Sequence, residues 1–128
     1  MEAYIRSDLV KENLPGRVLQ KAVGKDGPCL SRRMTVGFAR YSAESGPMEP
    51  HHHAEETLYI IDAKDGWIRY GEGKDRLGEK IPLQAGMMLH FAELEWHVFG
   101  WEGDGYVDAV FIYGQVDGIR PEDISARK

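Results

Sequence analysis

Apolar and polar residues alternate along most of this chain in short runs with a period of two, and stretches with helical spacing are scarce. Runs at 17–23, 33–42, 57–62, 67–71, 80–83, 87–92, 97–101 and 106–115 are rich in β-branched and aromatic residues, and each predicts a strand. Turn-forming residues separate them at 24–28, 45–47, 63–66, 71–78 and 102–105. Evenly spaced strands of this kind predict an all-β sandwich or barrel rather than a βαβ fold. One short helix is predicted over 6–14, with Ser7 as its N-cap and Pro15-Gly16 ending it. The polar tail 118–128, which contains Pro121, reads as a short helix on the outside or a frayed end.

Strand parity indicates which faces turn inward. Met87, Leu89 and Phe91 share one face, and Met88 and His90 share the other. His97, Phe99 and Trp101 fall together, which puts His97 on an aromatic, inward surface. His90 belongs on the outer face or at a subunit interface. Trp67, Trp96 and Trp101, with Tyr41, Tyr59 and Phe99, are expected to fill the interior, one or two of them lining a pocket.

Composition narrows the function classes. At 128 residues, with no internal repeat or composition shift, the chain reads as one domain over 1–128. A net charge of −5 with both signs interspersed leaves no basic patch for phosphates, so nucleic acid is not an expected partner. No apolar run approaches a membrane span, and the start at Met1 reads as mature sequence, so no membrane association is expected. Cys29 is the only cysteine; it follows Gly27-Pro28 near a turn and reads as an inert thiol. A cytoplasmic location fits.

The chemistry concentrates in Pro50-His51-His52-His53-Ala54-Glu55-Glu56, at the mouth of the strand beginning at Thr57. Residues i and i+2 of an extended segment project the same way, so His51 and His53 can converge on one point. Two imidazoles and a carboxylate, with His97 as a third imidazole from another strand, make a mixed nitrogen and oxygen site. Such a site suits a divalent transition metal (Fe, Mn, Ni, Zn or Cu) and leaves coordination positions open. Glu55 reads as solvated or as a partner orienting an imidazole; Glu93 and Glu95 read as surface charge.

These residues resemble the two motifs of the cupin superfamily. The first, G-x5-H-x-H-x(3,4)-E-x6-G, is matched around His51-His52-His53-Ala54-Glu55-Glu56 and the apolar strand 58–61. The second, G-x5-P-x-G-x2-H-x3-N, is matched at Gly86 and, at the family's usual interval, His97. The resemblance covers about residues 33–115. It implies a cupin double-stranded β-helix, a jelly-roll β-barrel with short N- and C-terminal extensions, holding one metal on His51, His53, Glu56 and His97. The span from His53 to Glu56 is one residue short of the pattern, and parity places the two on opposite faces unless a bulge intervenes at Ala54-Glu55. His52 with Glu56 and His97 is the competing set. The second motif lacks its Pro-x-Gly and its Asn, and Ala63 or a displaced Gly66 stands for the glycine closing the first.

Cupins include isomerases, epimerases, lyases, decarboxylases and dioxygenases, so the resemblance implies a metal-dependent enzyme acting on a small polar carbonyl, carboxylate or sugar-like substrate. Glu55 or His52 would then move the proton. A non-catalytic small-molecule binder or sensor is the alternative, and a structural or absent metal a third reading. Exposed strand edges predict a homodimer, with segment 4–23 as the docking element.

Overall fold

A computed structural model of the chain describes residues 1–114, so the expectation for the 118–128 tail lies outside the described residues. Seven strands form one antiparallel sheet: β1 (Glu12–Leu14), β2 (Arg17–Val23), β3 (Met34–Ser42), β4 (Glu56–Gly71), β5 (Ile81–Pro82), β6 (Met88–Phe91) and β7 (Trp96–Gly114). The neighbour order is β1-β2-β3-β7-β4-β5, with β6 also paired to β4.

Two pairs of predicted strands are in fact single long ones. β4 runs through the predicted turn at 63–66, and β7 runs through the one at 102–105. The two strands pair from Glu56↔Tyr113 to Gly71↔Trp96, so each supplies hydrogen bonds on both sides of the other's irregularity. The turn residues survive as a bulge: pairing steps from Lys64↔Tyr106 to Gly66↔Trp101, with Asp65 and Gly103 at positive φ (50° and 54°). Bulges of this kind bend a strand and increase its twist, which lets one strand serve both halves of a curled sheet.

The predicted helix over 6–14 does not form. Arg6–Asp8 make one 3-10 turn whose N-cap is Ile5 rather than Ser7, and Glu12–Leu14 pair with β2 as strand β1. A nine-residue helix is marginal by itself, whereas the free edge of β2 satisfies backbone groups in β1 directly. The turn is held down by Arg6, which forms a two-pronged ion pair with Asp108 and lies over the Phe38 ring. Gln20 donates to the carbonyls of Arg6 and Leu9. Among the described residues no helix is long and apolar enough to cross a membrane.

The core follows strand alternation. Thr35, Gly37, Ala39 and Tyr41 of β3 and Gly105, Val107, Ala109 and Phe111 of β7 point inward, joined by Leu58, Ile60 and Ile68 of β4. Phe91 and Phe99 are buried and Met88 and His90 are exposed, as parity predicts. Tyr59 is a correction. It lies between buried Leu58 and Ile60, so alternation puts it outside, and its ring is exposed. Trp67 is only partly buried; its indole packs against Gly100, and Lys80 Nζ lies 4.6 Å from its ring centroid.

A Cβ at Gly100 would fall on the Trp67 ring. Gly100→Ala is therefore expected to lower stability by about 1–3 kcal/mol through overpacking. Urea unfolding checks this; a wild-type midpoint would mean the indole moves aside freely.

Candidate metal centre

His51 lies on an extended segment that bridges the first residues of β7. Its N–H donates to the His97 carbonyl at 3.0 Å, and the His97 N–H donates back at 2.9 Å. This places the two imidazoles side by side, ring centroids 4.5 Å apart. The chain then bends at Ala54, which is buried, and enters β4 at Glu56. The departure from extended geometry at Ala54-Glu55 brings His53 and Glu56 together, Nε2 to Oε1 3.5 Å, despite their odd spacing. Glu56 Oε1 also lies 3.8 Å from His97 Nε2.

The sequence-predicted residues His51, His53, Glu56 and His97 thus meet at one end of the curled sheet. Ligand atoms of the three histidines lie within 4.8 Å of one another, close enough to hold a metal ion. His52 turns away: its ring stacks on Trp96 at 4.1 Å, with Nδ1 3.3 Å from the Leu94 carbonyl. Glu55 pairs with exposed His90 at 2.8 Å on the outer surface. Neither His52 nor Glu55 lines the cavity over the cluster. Parity explains this, since each directly adjoins a residue that points in.

Each of the three imidazoles is oriented by a backbone carbonyl at Nδ1. The acceptors are Glu49 O for His51 (3.1 Å), Ala54 O for His53 (2.8 Å) and Glu95 O for His97 (2.8 Å). A carbonyl only accepts, so these bonds place the proton on Nδ1 of each ring. His97 is 1% exposed, and its Nε2 is buried with no hydrogen-bond partner. An orphaned buried acceptor is costly unless something occupies the space before it, and a metal ion fits that donor set.

Burial sets the charge of the cluster. It holds His51 down to about 4, an effect to which the nearby His53 adds. It also pushes His97 well below the usual imidazole range, with His51 and His53 contributing. Glu56 is raised to about 8 by burial, with Arg17 pulling the other way. Without metal, burial thus favours neutral His51 and His97 and a protonated Glu56 near pH 7. A bound dication would reverse the preference of Glu56 and expel its proton.

A cavity of about 340 Å³ opens over the cluster. Tyr41, Phe111 and Tyr113 line its apolar parts, and Arg17, Lys21, Glu12 and Asp26 its polar rim. Tyr41 fills the interior as predicted, stacked on Phe99 at 4.4 Å. The sequence reading missed the N-terminal hairpin as a wall of the cavity. Its signal was the same-face series Arg17, Leu19, Lys21 in β2, which puts two cations beside an apolar residue on one face.

The sequence matches no protein-family model and no curated protein. Solved structures do match. The polyketide cyclase RemF from Streptomyces resistomycificus aligns with TM-score 0.69 and 16% identity over 94% of this chain and 83% of that one. Hydroxypropylphosphonic acid epoxidase from S. wedmorenis aligns with TM-score 0.62 and 12% identity over 88% of this chain and 59% of that one; an Fe(II) form of that enzyme is among the matches. The W96Y variant of Bacillus subtilis oxalate decarboxylase aligns with TM-score 0.64 and 16% identity over 88% of this chain and 29% of that one. These proteins share the cupin fold, and so does this chain.

The charge state of the cluster has a measurable consequence. His51 and His97 take up protons less readily when folded, so they cost stability only as pH falls below the ordinary imidazole value of 6.5. Glu56 holds its proton more firmly when folded. Its contribution is full below its ordinary value of 4.5 and is lost as pH rises toward 8. Between pH 6.5 and 8 only the Glu56 trend remains of these three. The chelator-treated wild type should lose up to about 1.4 kcal/mol per pH unit there, and Glu56→Gln should abolish that loss. Urea unfolding across the window checks it; equal slopes for the two proteins would mean Glu56 is already ionised.

Proposed function

We propose that this cupin-fold protein binds one divalent transition metal through Nε2 of His51, His53 and His97 and the carboxylate of Glu56. On this reading it is a metal-dependent enzyme for a small polar substrate. The observation that carries the reading is the convergence of three imidazoles, each tied back at Nδ1, on a space that leaves buried His97 Nε2 unpartnered. Four protein ligands of this kind leave positions open on Fe, Mn or Ni, or on a Zn that expands its coordination.

When bound, the metal would supply a positive charge that polarises a carbonyl or carboxylate oxygen of the substrate. The chain's own part is support. The three carbonyl bonds hold the imidazoles in one tautomer, and Phe91, stacked on His97 at 4.1 Å, fixes that ring from behind. Tyr41, Phe111 and Tyr113 give the cavity dry walls, and its size admits only a small molecule. Isomerase, lyase or dioxygenase chemistry on a carbonyl, carboxylate or sugar-like compound fits such a site. The whole chain acts as one domain in this proposal, in a reducing cytoplasm where its free Cys29 would persist.

Elemental analysis of protein prepared without chelator or nickel resin tests the site. We expect about one metal per chain, lost in His97→Ala and kept in His52→Ala. Metal retained in the first variant, or absent from wild type after reconstitution, would overturn the assignment.

We also propose a homodimer. The N-terminal hairpin pairs within its own sheet through β2 and β3. On the outer face Tyr59 lies beside Met88, and Ile112 sits two pairs along, opposite Thr57; all three are exposed. This row gives a second copy an apolar surface to cover. Light scattering at micromolar concentration should give twice the chain mass for wild type and the chain mass for Met88→Lys. A monomeric wild type would refute the dimer.

A further inference from the structure

We infer that Arg17 binds a carboxylate of the substrate, so that the metal-dependent reaction proposed above acts on a small carboxylic acid. The inference rests on that metal reading and narrows its substrate class.

Arg17 opens β2 directly after the Pro15-Gly16 turn. The turn is tightly placed. Gly16 has φ 83°, its N–H donates to the Ser45 carbonyl at 2.8 Å, and a Cβ there would come within 2.6 Å of Met48 Cβ. Only glycine suits that position, so the start of β2 is held at the rim of the cavity. Arg17 lines that cavity together with His51, His53, Glu56 and His97. Its charge is felt by Glu56, His51 and His97 alike.

The guanidinium is under-used by the protein. Nη1 donates to the Pro15 carbonyl at 3.0 Å, and no carboxylate among the described residues pairs with it. The contrast with its neighbours is informative. Lys21, on the same face, is held between Glu12 and Asp26, each at 3.3 Å, and its charge is already compensated. Arg6, on the other side of the sheet, is engaged by Asp108. The flat fork of donors on an arginine matches a carboxylate.

Charge balance points the same way. Three neutral imidazoles and one carboxylate leave a divalent ion with one uncompensated positive charge, and Arg17 faces the same cavity with no carboxylate paired to it, whereas Glu12 and Asp26 are both engaged by Lys21. A substrate that ligates the metal and presents a carboxylate to Arg17 would neutralise both.

The test uses the full chain loaded with Co(II), whose visible spectrum reports ligands entering the metal. Malonate and succinate are titrated into wild type, Arg17→Gln and Arg17→Lys, with imidazole as a neutral metal ligand and cobalt content measured on every sample. We expect both dicarboxylates to bind wild type. Arg17→Gln should weaken them about tenfold or more, the loss of a charge-assisted hydrogen bond. Arg17→Lys should fall between, because it keeps the charge and loses the fork, and it serves as the readout if Arg17→Gln fails to fold. Cobalt content and imidazole affinity should match in all three. Dicarboxylates that bind the variants as tightly as wild type, or that fail to bind wild type, would overturn the inference. If wild type holds no cobalt, the metal reading falls. Calorimetric titration of the same dicarboxylates into the metal-free proteins then judges Arg17 by the same ratio.

Discussion

The reciprocal pair of backbone hydrogen bonds between His51 and His97 joins the segment leading into β4 to the first residues of β7, and the site depends on it. The two strands already pair along most of their length, but that pairing alone would leave residues before Glu56 unattached. The bridge brings the histidine-rich segment back across the opening of the curled sheet. His97 then lies under His51 and His53, with ring centroids at 4.5 and 4.8 Å. Side chains more than forty residues apart are held there by main-chain geometry, which is stiffer than any contact the imidazoles could make themselves.

Electrostatics follows from that placement. Buried His51 and His97 resist protonation, and the carboxyl of Glu56 beside them keeps its proton for the same reason, loss of water. That state of His51 and His97 favours metal ligation, because neutral imidazole is the form that binds. Arg17 at the rim partly offsets the burial of Glu56 without pairing with it. The same hairpin that carries Arg17 supplies the cavity wall and the Lys21 ion pairs, so the N-terminal extension belongs to the site as much as to the sheet.

The long strands show how turn signals can mislead. Residues 63–66 and 102–105 carry turn chemistry, and a local reading breaks the chain there. They lie opposite one another in β4 and β7, so what each stretch would do alone is overridden by its partner, and two apparent turns become one bulge. The segment 6–14 fails for a related reason. Its helical spacing is local, while the edge of β2 that captures Glu12–Leu14 becomes visible only once the sheet is assembled.

By itself the sequence determined the all-β class, the inward faces of β6 and β7, and a cluster of candidate ligands at 51–56 with His97 as a further imidazole. Those follow from a period of two and from the rarity of clustered imidazoles, both local properties. It left open which of three consecutive histidines point together, because parity along 51–56 gives two incompatible answers. The bend at buried Ala54 decided that, placing His53 beside Glu56 and His52 on Trp96. Tertiary structure also decided the tautomers, since the Glu49, Ala54 and Glu95 carbonyls are aimed by turns and bridges that no spacing encodes. Arg17 entered the site for the same reason: only when β2 pairs with β3 does its inward face look onto the histidines.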